Sequence, residues 1–137
     1  MKTKRQLLFL IMFAGTVAFI VSGCKKYPDG PTISLSSRTD RVANTWNVEN
    51  YKINGTDYTS LVSGYVQTFS KDGNYSFNWG ILGGTGKWSF QSNDDEILIN
   101  GVDNQPSITL YILKLEKKQF WYYYMDGSDR QEFHLIQ

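Results

Sequence analysis

The chain of 137 residues has one cysteine and one histidine, so few of its side chains suit nucleophilic or metal chemistry. His134 lies in the last apolar and polar alternation, and one histidine supplies at most one base for a Ser-His-Asp or Cys-His site. The acidic residues at 94–96, 126 and 129 lie in turns without the ligand spacing of a calcium loop. We therefore predict no catalytic residues, no metal site, no cofactor and no enzymatic activity.

Cys24 has a different setting, because it follows the only long apolar segment. Residues 2–5 are mostly basic, and residues 7–21 are almost uninterruptedly apolar. As a helix, about 15 residues cover only some 22 Å, which is short of the roughly 20 residues that a membrane span needs. Ser22 and Gly23 have small side chains. A leader-processing protease needs small side chains just before the cleaved bond, so that the extended backbone fits its active site. The pattern is typical of a leader that is removed.

Val21-Ser22-Gly23-Cys24 resembles the lipobox of bacterial lipoproteins. This resemblance implies cleavage before Cys24, diacylglycerol in thioether linkage on its thiol, and acylation, as with palmitate, of the new amino terminus. Two or three acyl chains would anchor the protein stably in a membrane. The alternatives are an uncleaved anchor helix, or a secreted protein whose leader merely ends near a cysteine. Lys25-Lys26 lacks the aspartate that often retains lipoproteins in the inner membrane, which favours the outer membrane, on either side.

Removing the leader, residues 1–23, from the 137-residue chain leaves 114 residues, enough for one domain. The leader holds three of the 14 basic residues and none of the 13 acidic ones, so the remainder carries about −2, which excludes a basic nucleic-acid surface. Residues 24–41 are predicted to be the lipidated cysteine and a flexible tether with a reach of roughly 23 Å. Lys25 and Lys26 would lie at the lipid headgroups, or would simply be solvated.

Residues 42–137 alternate apolar and polar side chains in segments separated by Gly, Asn, Asp and Ser, which is typical of an antiparallel sheet. A short helical turn within 36–44 is expected to precede them and to plug one end. The connections are too short for crossover helices, and closing the sheet removes its exposed edges. We therefore predict an all-β, eight-stranded, antiparallel up-and-down barrel, with strands at 45–53, 65–70, 74–79, 86–91, 96–100, 107–116, 119–125 and 130–136.

The barrel interior is predicted to be aromatic, and one end is predicted to open. The connections at the end opposite Trp46, at 54–64, 80–85, 101–106 and 126–129, are longer and richer in glycine. Loops on a rigid scaffold usually carry binding sites, although their apolar residues can equally form a lid of core. The predicted core residues are Trp46, Phe69, Tyr75, Phe77, Trp88 and Phe90, and the predicted ligand-binding rim residues are Tyr58, Leu61, Trp79, Ile81 and Leu82.

Residues 120–125 are apolar on both faces of a strand, as are residues 110–113. One aromatic stripe, carrying either Phe120, Tyr122 and Tyr124 or Trp121, Tyr123 and Met125, must therefore face outward. Such a stripe could be covered by the tether or a partner protein, could bind carbohydrate or lipid headgroups, or could hold tyrosines with hydroxyls in water.

The order of several motifs is similar to that of the lipocalin and fatty-acid-binding barrels, and in particular of the lipocalin-like domains on bacterial outer-membrane lipoproteins. The motifs are Asn44-Thr45-Trp46 with 51–55, then 68–75, 86–90 and 132–135. Two lipocalin features are missing: Asn44 replaces a glycine, and no arginine follows the last strand. The resemblance implies a membrane-anchored barrel that binds a small apolar or amphipathic ligand. The alternative is a filled structural barrel that docks on another envelope protein through its aromatic wall.

Overall fold

The structure, a computed structural model, describes residues 26–29 and 35–137. The leader and the motif at Val21–Cys24 lie outside the described residues. Within these residues the chain forms one short helix, α1, and nine strands, with single 3-10 turns at Thr59–Val62 and Ser92–Asp94. The elements are α1 (Arg38–Val42), β1 (Thr45–Ile53), β2 (Thr56–Asp57), β3 (Val66–Phe69), β4 (Asn74–Trp79), β5 (Leu82–Gln91), β6 (Glu96–Asn100), β7 (Ile108–Leu115), β8 (Gln119–Asp126) and β9 (Asp129–Ile136).

Eight of the strands close into an antiparallel barrel in chain order. The closure is the pairing of β1 with β9, from Asn47 opposite Ile136 to Ile53 opposite Gln131. Strand β2 has only two residues. It pairs with the last residues of β1, on the same edge of β1 whose first residues pair with β3. The predicted all-β, up-and-down barrel is confirmed, and every predicted strand corresponds to one of the eight.

The prediction of a loop at 80–85 is wrong. Strand β5 begins at Leu82, which pairs with Trp79 across a two-residue turn, and Gly83 and Gly84 continue the pairing with β4. Glycines carry no side chain to show alternation and have low strand propensity, so the pattern did not reveal this part of the strand. The connection at 126–129 is also tighter than expected, because Asp126 and Asp129 pair directly.

Helix α1 lies across the barrel end that holds Trp46, which we name the closed end together with the turns at 70–73, 92–95 and 116–118. The Ser37 hydroxyl caps the helix by accepting a hydrogen bond from the Asp40 amide at 3.0 Å. Val42 and Trp46 are fully buried, and the indole Nε1 of Trp46 donates to the Val42 carbonyl at 2.9 Å. The buried guanidinium of Arg41 donates to the Leu115 carbonyl at 2.7 Å. The expected helical plug is thus present.

Residues 26–29, which belong to the predicted tether, pack on the closed end. The Tyr27 ring is 2% exposed and belongs to the core cluster, and its hydroxyl donates to the Asp94 carbonyl at 2.9 Å. Lys26 Nζ lies 2.8 Å from Asp95 Oδ1, so this lysine, expected at the headgroups, has a partner on the barrel. The Asp29 amide donates to the Leu113 carbonyl at 2.8 Å. This part of the chain therefore completes the closed end.

Candidate ligand-binding site

A cavity of about 360 Å³ occupies the interior near the other end of the barrel, which we name the open end. Most of its lining is apolar, and the loop between β6 and β7 forms part of its mouth. The aromatic lining residues are Tyr65, Tyr75, Phe77, Tyr122, Tyr124 and Phe133, the aliphatic ones are Ile99, Val102, Ile108 and Leu110, and the other polar ones are Gln67, Asp103 and Gln105.

Strand β5 packs against different partners at the two ends of the barrel. Its inner face carries Trp88 and Phe90 toward the closed end but only Gly84 and Gly86 toward the open end. A Cβ on Gly84 would lie 2.6 Å from the Phe77 ring and from the Asp103 carboxylate. A Cβ on Gly86 would clash with the Asn100 carbonyl and lie 2.7 Å from Val102. Because these two glycines have no side chain, the β6–β7 loop can pack directly against the β5 backbone beside the cavity.

A buried polar cluster, Tyr75, Gln67 and Tyr122, forms one wall of the cavity. The Gln67 side chain is 1% exposed, and its Nε2 donates to the Tyr122 hydroxyl at 2.7 Å. The Tyr75 hydroxyl donates to Gln67 Oε1 at 3.3 Å. Burial raises the pKa of Tyr75 and of Tyr122 well above the ordinary value for tyrosine. These hydroxyls therefore stay protonated and neutral in the physiological range.

The remaining polar groups of the cavity are also nearly all neutral. Burial raises the pKa of Tyr124 to about 12 and raises that of Tyr65 as well. Asp103, at the mouth, is the single carboxylate among the described lining residues, and none of them is basic. A buried anion would therefore lack a cation to pair with, whereas a neutral polar group would meet several hydroxyl donors.

The five predicted rim residues lie at the open end, but none of them lines this cavity. Leu61 and Trp79 border a neighbouring depression of about 310 Å³, which shares Tyr65, Tyr124 and Phe133 with the cavity. The other three, Tyr58, Ile81 and Leu82, are exposed and border neither space.

The mouth residues that sequence reasoning missed are Val102, Asp103, Gln105 and Ile108. The loop at 101–106 was correctly assigned to the end opposite Trp46. Its sequence contains no pattern that shows which of its side chains face the interior. The structure places all six predicted core residues toward the interior: Trp46, Phe69, Tyr75 and Trp88 are buried, and Phe77 and Phe90 are partly buried against the core cluster.

The outer aromatic wall is covered by its own neighbours. Strand β8 turns Phe120 and Tyr122 inward, which leaves Trp121 and Tyr123 outside. The Trp121 ring stacks on His134 at 4.1 Å, with Lys114 Nζ 4.4 Å from the indole centroid.

Tyr123 is covered in the same way. Its ring stacks on Tyr111 at 4.9 Å, and the Arg130 guanidinium lies 3.9 Å from its centroid. Trp121 and Tyr123 are both partly buried by these contacts, so the wall offers a partner less free aromatic surface than the sequence indicated.

The chain matches no protein-family model and no curated protein sequence. Within residues 26–29 and 35–137, no three His, Cys, Asp or Glu side chains are grouped so as to hold a metal ion. In the same part of the chain, no helix is long and apolar enough to cross a membrane.

Proposed function

We propose that the protein is a lipid-anchored, lipocalin-like binding protein of the bacterial outer membrane, whose barrel holds one small, neutral and mainly apolar ligand. The observation that carries the binding proposal is the cavity of about 360 Å³ at the open end. Pockets for small molecules usually measure about 300–1,000 Å³, and an eight-stranded barrel is just wide enough for one small ligand. The anchor is supported by the resemblance of Val21–Cys24 to a lipobox.

The neutral character of the ligand follows from the lining. Apolar rings and aliphatic side chains favour an apolar body, since transfer of such surface from water is the main source of affinity. Tyr65 and Tyr124 present protonated hydroxyls beside the buried cluster of Gln67. A carbonyl, ether or hydroxyl group of the ligand can accept hydrogen bonds there. A carboxylate or phosphate would lose its hydration without gaining a cation, and it would pass Asp103 on entry.

Two fluorescent probes that differ only in a charge test this proposal. N-phenyl-1-naphthylamine is neutral, and 8-anilino-1-naphthalenesulfonate is the same skeleton with a sulfonate. We expect the full chain in detergent to enhance and blue-shift the fluorescence of the neutral probe, with the sulfonate binding at least tenfold more weakly, a difference of about 1.4 kcal/mol. Equal binding of the two probes would contradict the neutral-ligand assignment.

A matched pair of variants separates binding in the cavity from binding elsewhere. Ile108→Trp places an indole in the mouth, whereas Ile81→Trp makes the same change at a fully exposed turn that does not border the cavity. We expect Ile108→Trp to weaken the neutral probe at least tenfold and Ile81→Trp to bind as the unchanged chain does. Detergent without protein gives the uptake of probe by micelles, which is subtracted. Unchanged binding by Ile108→Trp would refute the cavity as the binding site.

A further inference from the structure

We propose that the closed end of the barrel rests on the lipid headgroups, so that the mouth points away from the membrane that holds the anchor. The partner of this surface is the membrane itself. The inference rests on the proposed lipidation of Cys24 and adds an orientation that lipidation alone does not give, because a long free tether would allow any orientation.

The orientation is carried by the contacts of three residues that hold residues 26–29 to the closed end. Lys26 Nζ pairs with Asp95 at 2.8 Å and donates to the Asn93 carbonyl at 2.6 Å. The Tyr27 ring is inserted into the core cluster, with its hydroxyl on the Asp94 carbonyl. The Asp29 amide bonds the Leu113 carbonyl, close to the end of β7. An ion pair, a buried ring and a backbone hydrogen bond together fix this segment at several points.

Chain length then limits where the anchor can be. Two peptide units separate Cys24 from Lys26, and consecutive Cα atoms lie 3.8 Å apart, so the lipidated residue stays within about 8 Å of Lys26. Strand β8 has eight residues, which span about 27 Å along the strand and roughly 20 Å along the axis of a tilted barrel. While residues 26–29 are docked, the anchor cannot reach the open end.

The chemistry of the two ends agrees with this orientation. The turns of the closed end are polar, and the exposed Lys117 and Lys118 are suited to a headgroup layer, whereas Lys71 already pairs with Asp40. The exposed large hydrophobic residues of the described chain, apart from Leu35, all lie in loops and strand ends of the open end. That apolar rim, taken alone, would suit insertion of the mouth into the bilayer, which is the competing orientation.

Single cysteines at the two ends of β8 distinguish these orientations. Lys117→Cys lies in the turn before the strand and Ser128→Cys in the turn after it, and both positions are exposed. Once Cys24 is in a thioether, only the new thiol reacts with a fluorescent maleimide. The labelled full chain, processed in a bacterial host, is inserted into phosphatidylcholine vesicles with a nitroxide on the headgroup. We expect several-fold stronger quenching at position 117 than at position 128.

The outcomes separate the orientation from the anchor. Equal quenching, or stronger quenching at position 128, would overturn the orientation while leaving the anchor in place. A chain that fails to bind vesicles, or whose Cys24 also takes the label, would refute the proposed anchor and with it this inference.

A second set of variants tests the role of the docked segment. Tyr27→Ala removes the buried ring, whereas Asp29→Pro removes the N–H that bonds Leu113 together with an exposed carboxylate and leaves the buried ring in place. Tyr58→Ala is the control, since Tyr58 is an exposed tyrosine of the open end. We expect the difference in quenching between positions 117 and 128 to shrink in both segment variants and to persist in the control. A difference that persists in Asp29→Pro and Tyr27→Ala would show that the segment does not set the orientation.

Discussion

The two ends of this barrel are built from the same strands, but one end is packed with side chains and the other holds a cavity. At the closed end, the inner face of β5 carries Trp88 and Phe90, and helix α1 covers what the side chains leave open. At the open end, the same face carries Gly84 and Gly86, and the interior holds a cavity. One strand therefore packs its own aromatic side chains at one end of the barrel and, through two glycines, leaves room for a neighbouring loop at the other.

The closed end also satisfies its polar groups within the protein. The indole N–H groups of Trp46 and Trp88 donate to the Val42 and Ser70 carbonyls, each at 2.9 Å. Trp46 packs on Phe120, with 5.8 Å between ring centroids. A fully packed, hydrogen-bonded end is expected to carry most of the stability, since buried aromatic side chains dominate core energetics.

The largest expected effect comes from removing a tryptophan at each end. Trp46→Ala should lower the free energy of unfolding by about 3–5 kcal/mol, because it leaves a cavity in the closed end and removes one of the two hydrogen bonds that the Val42 carbonyl accepts. Trp79→Ala, at an open-end position that is 38% exposed, should cost less than about 1.5 kcal/mol. Urea unfolding of both variants measures the difference. Equal losses would show that the stability is not concentrated in the closed end.

An intermediate effect is expected within the cavity wall. Gln67→Leu leaves the buried hydroxyls of Tyr75 and Tyr122 without their amide partner and should cost about 1–3 kcal/mol. Gln105→Leu makes the same change at an exposed mouth position and should alter stability by less than about 0.5 kcal/mol. A Gln67→Leu protein as stable as the unchanged chain would show that the polar cluster does not contribute to the stability of the fold.

The smallest expected effect is on how the stability of each end depends on pH. Burial raises the pKa of Tyr27, at the closed end, and of Tyr124, at the open end, to about 12, against 10 in the unfolded chain. A raised folded-state pKa means that the folded protein holds these protons longer. The stability is therefore fully present below pH 10 and is lost as the pH rises toward 12.

Tyr27→Phe and Tyr124→Phe each remove one of these protons. Each variant should therefore show a shallower decline of stability between pH 10 and 12, measured by urea unfolding at several pH values. A decline as steep as that of the unchanged chain would contradict the assignment for that tyrosine.

The sequence predicted the barrel well where one strand face is buried and the other is solvated. Tyr75 in β4 and Trp88 in β5 alternate with polar residues, so both the strand type and the inward face could be inferred. Tyr27 could not be placed in the core, because a single aromatic residue in a polar segment has no periodicity to use. The first half of β5 was missed for the same physical reason, since glycine leaves no pattern.

The cavity was predicted less well than the fold. Loop length indicated the end at which the cavity lies, but it did not distinguish residues that line the cavity from residues that lie on its outside. Ile81 and Ile108 are both apolar and both at this end, yet only Ile108 borders the cavity. That distinction depends on where each backbone segment runs over the mouth, which is a property of the closed sheet rather than of the local sequence.

Gly84 and Gly86 have a consequence for how the shape of the cavity mouth can change. The loop that carries Val102 and Asp103 sits against these two glycines, where a single methyl group would have no room. A Gly→Ala substitution there would displace the loop and reshape the entrance while every residue that lines the cavity kept its identity. The entrance of this barrel can therefore diverge during evolution through positions that do not line the cavity at all.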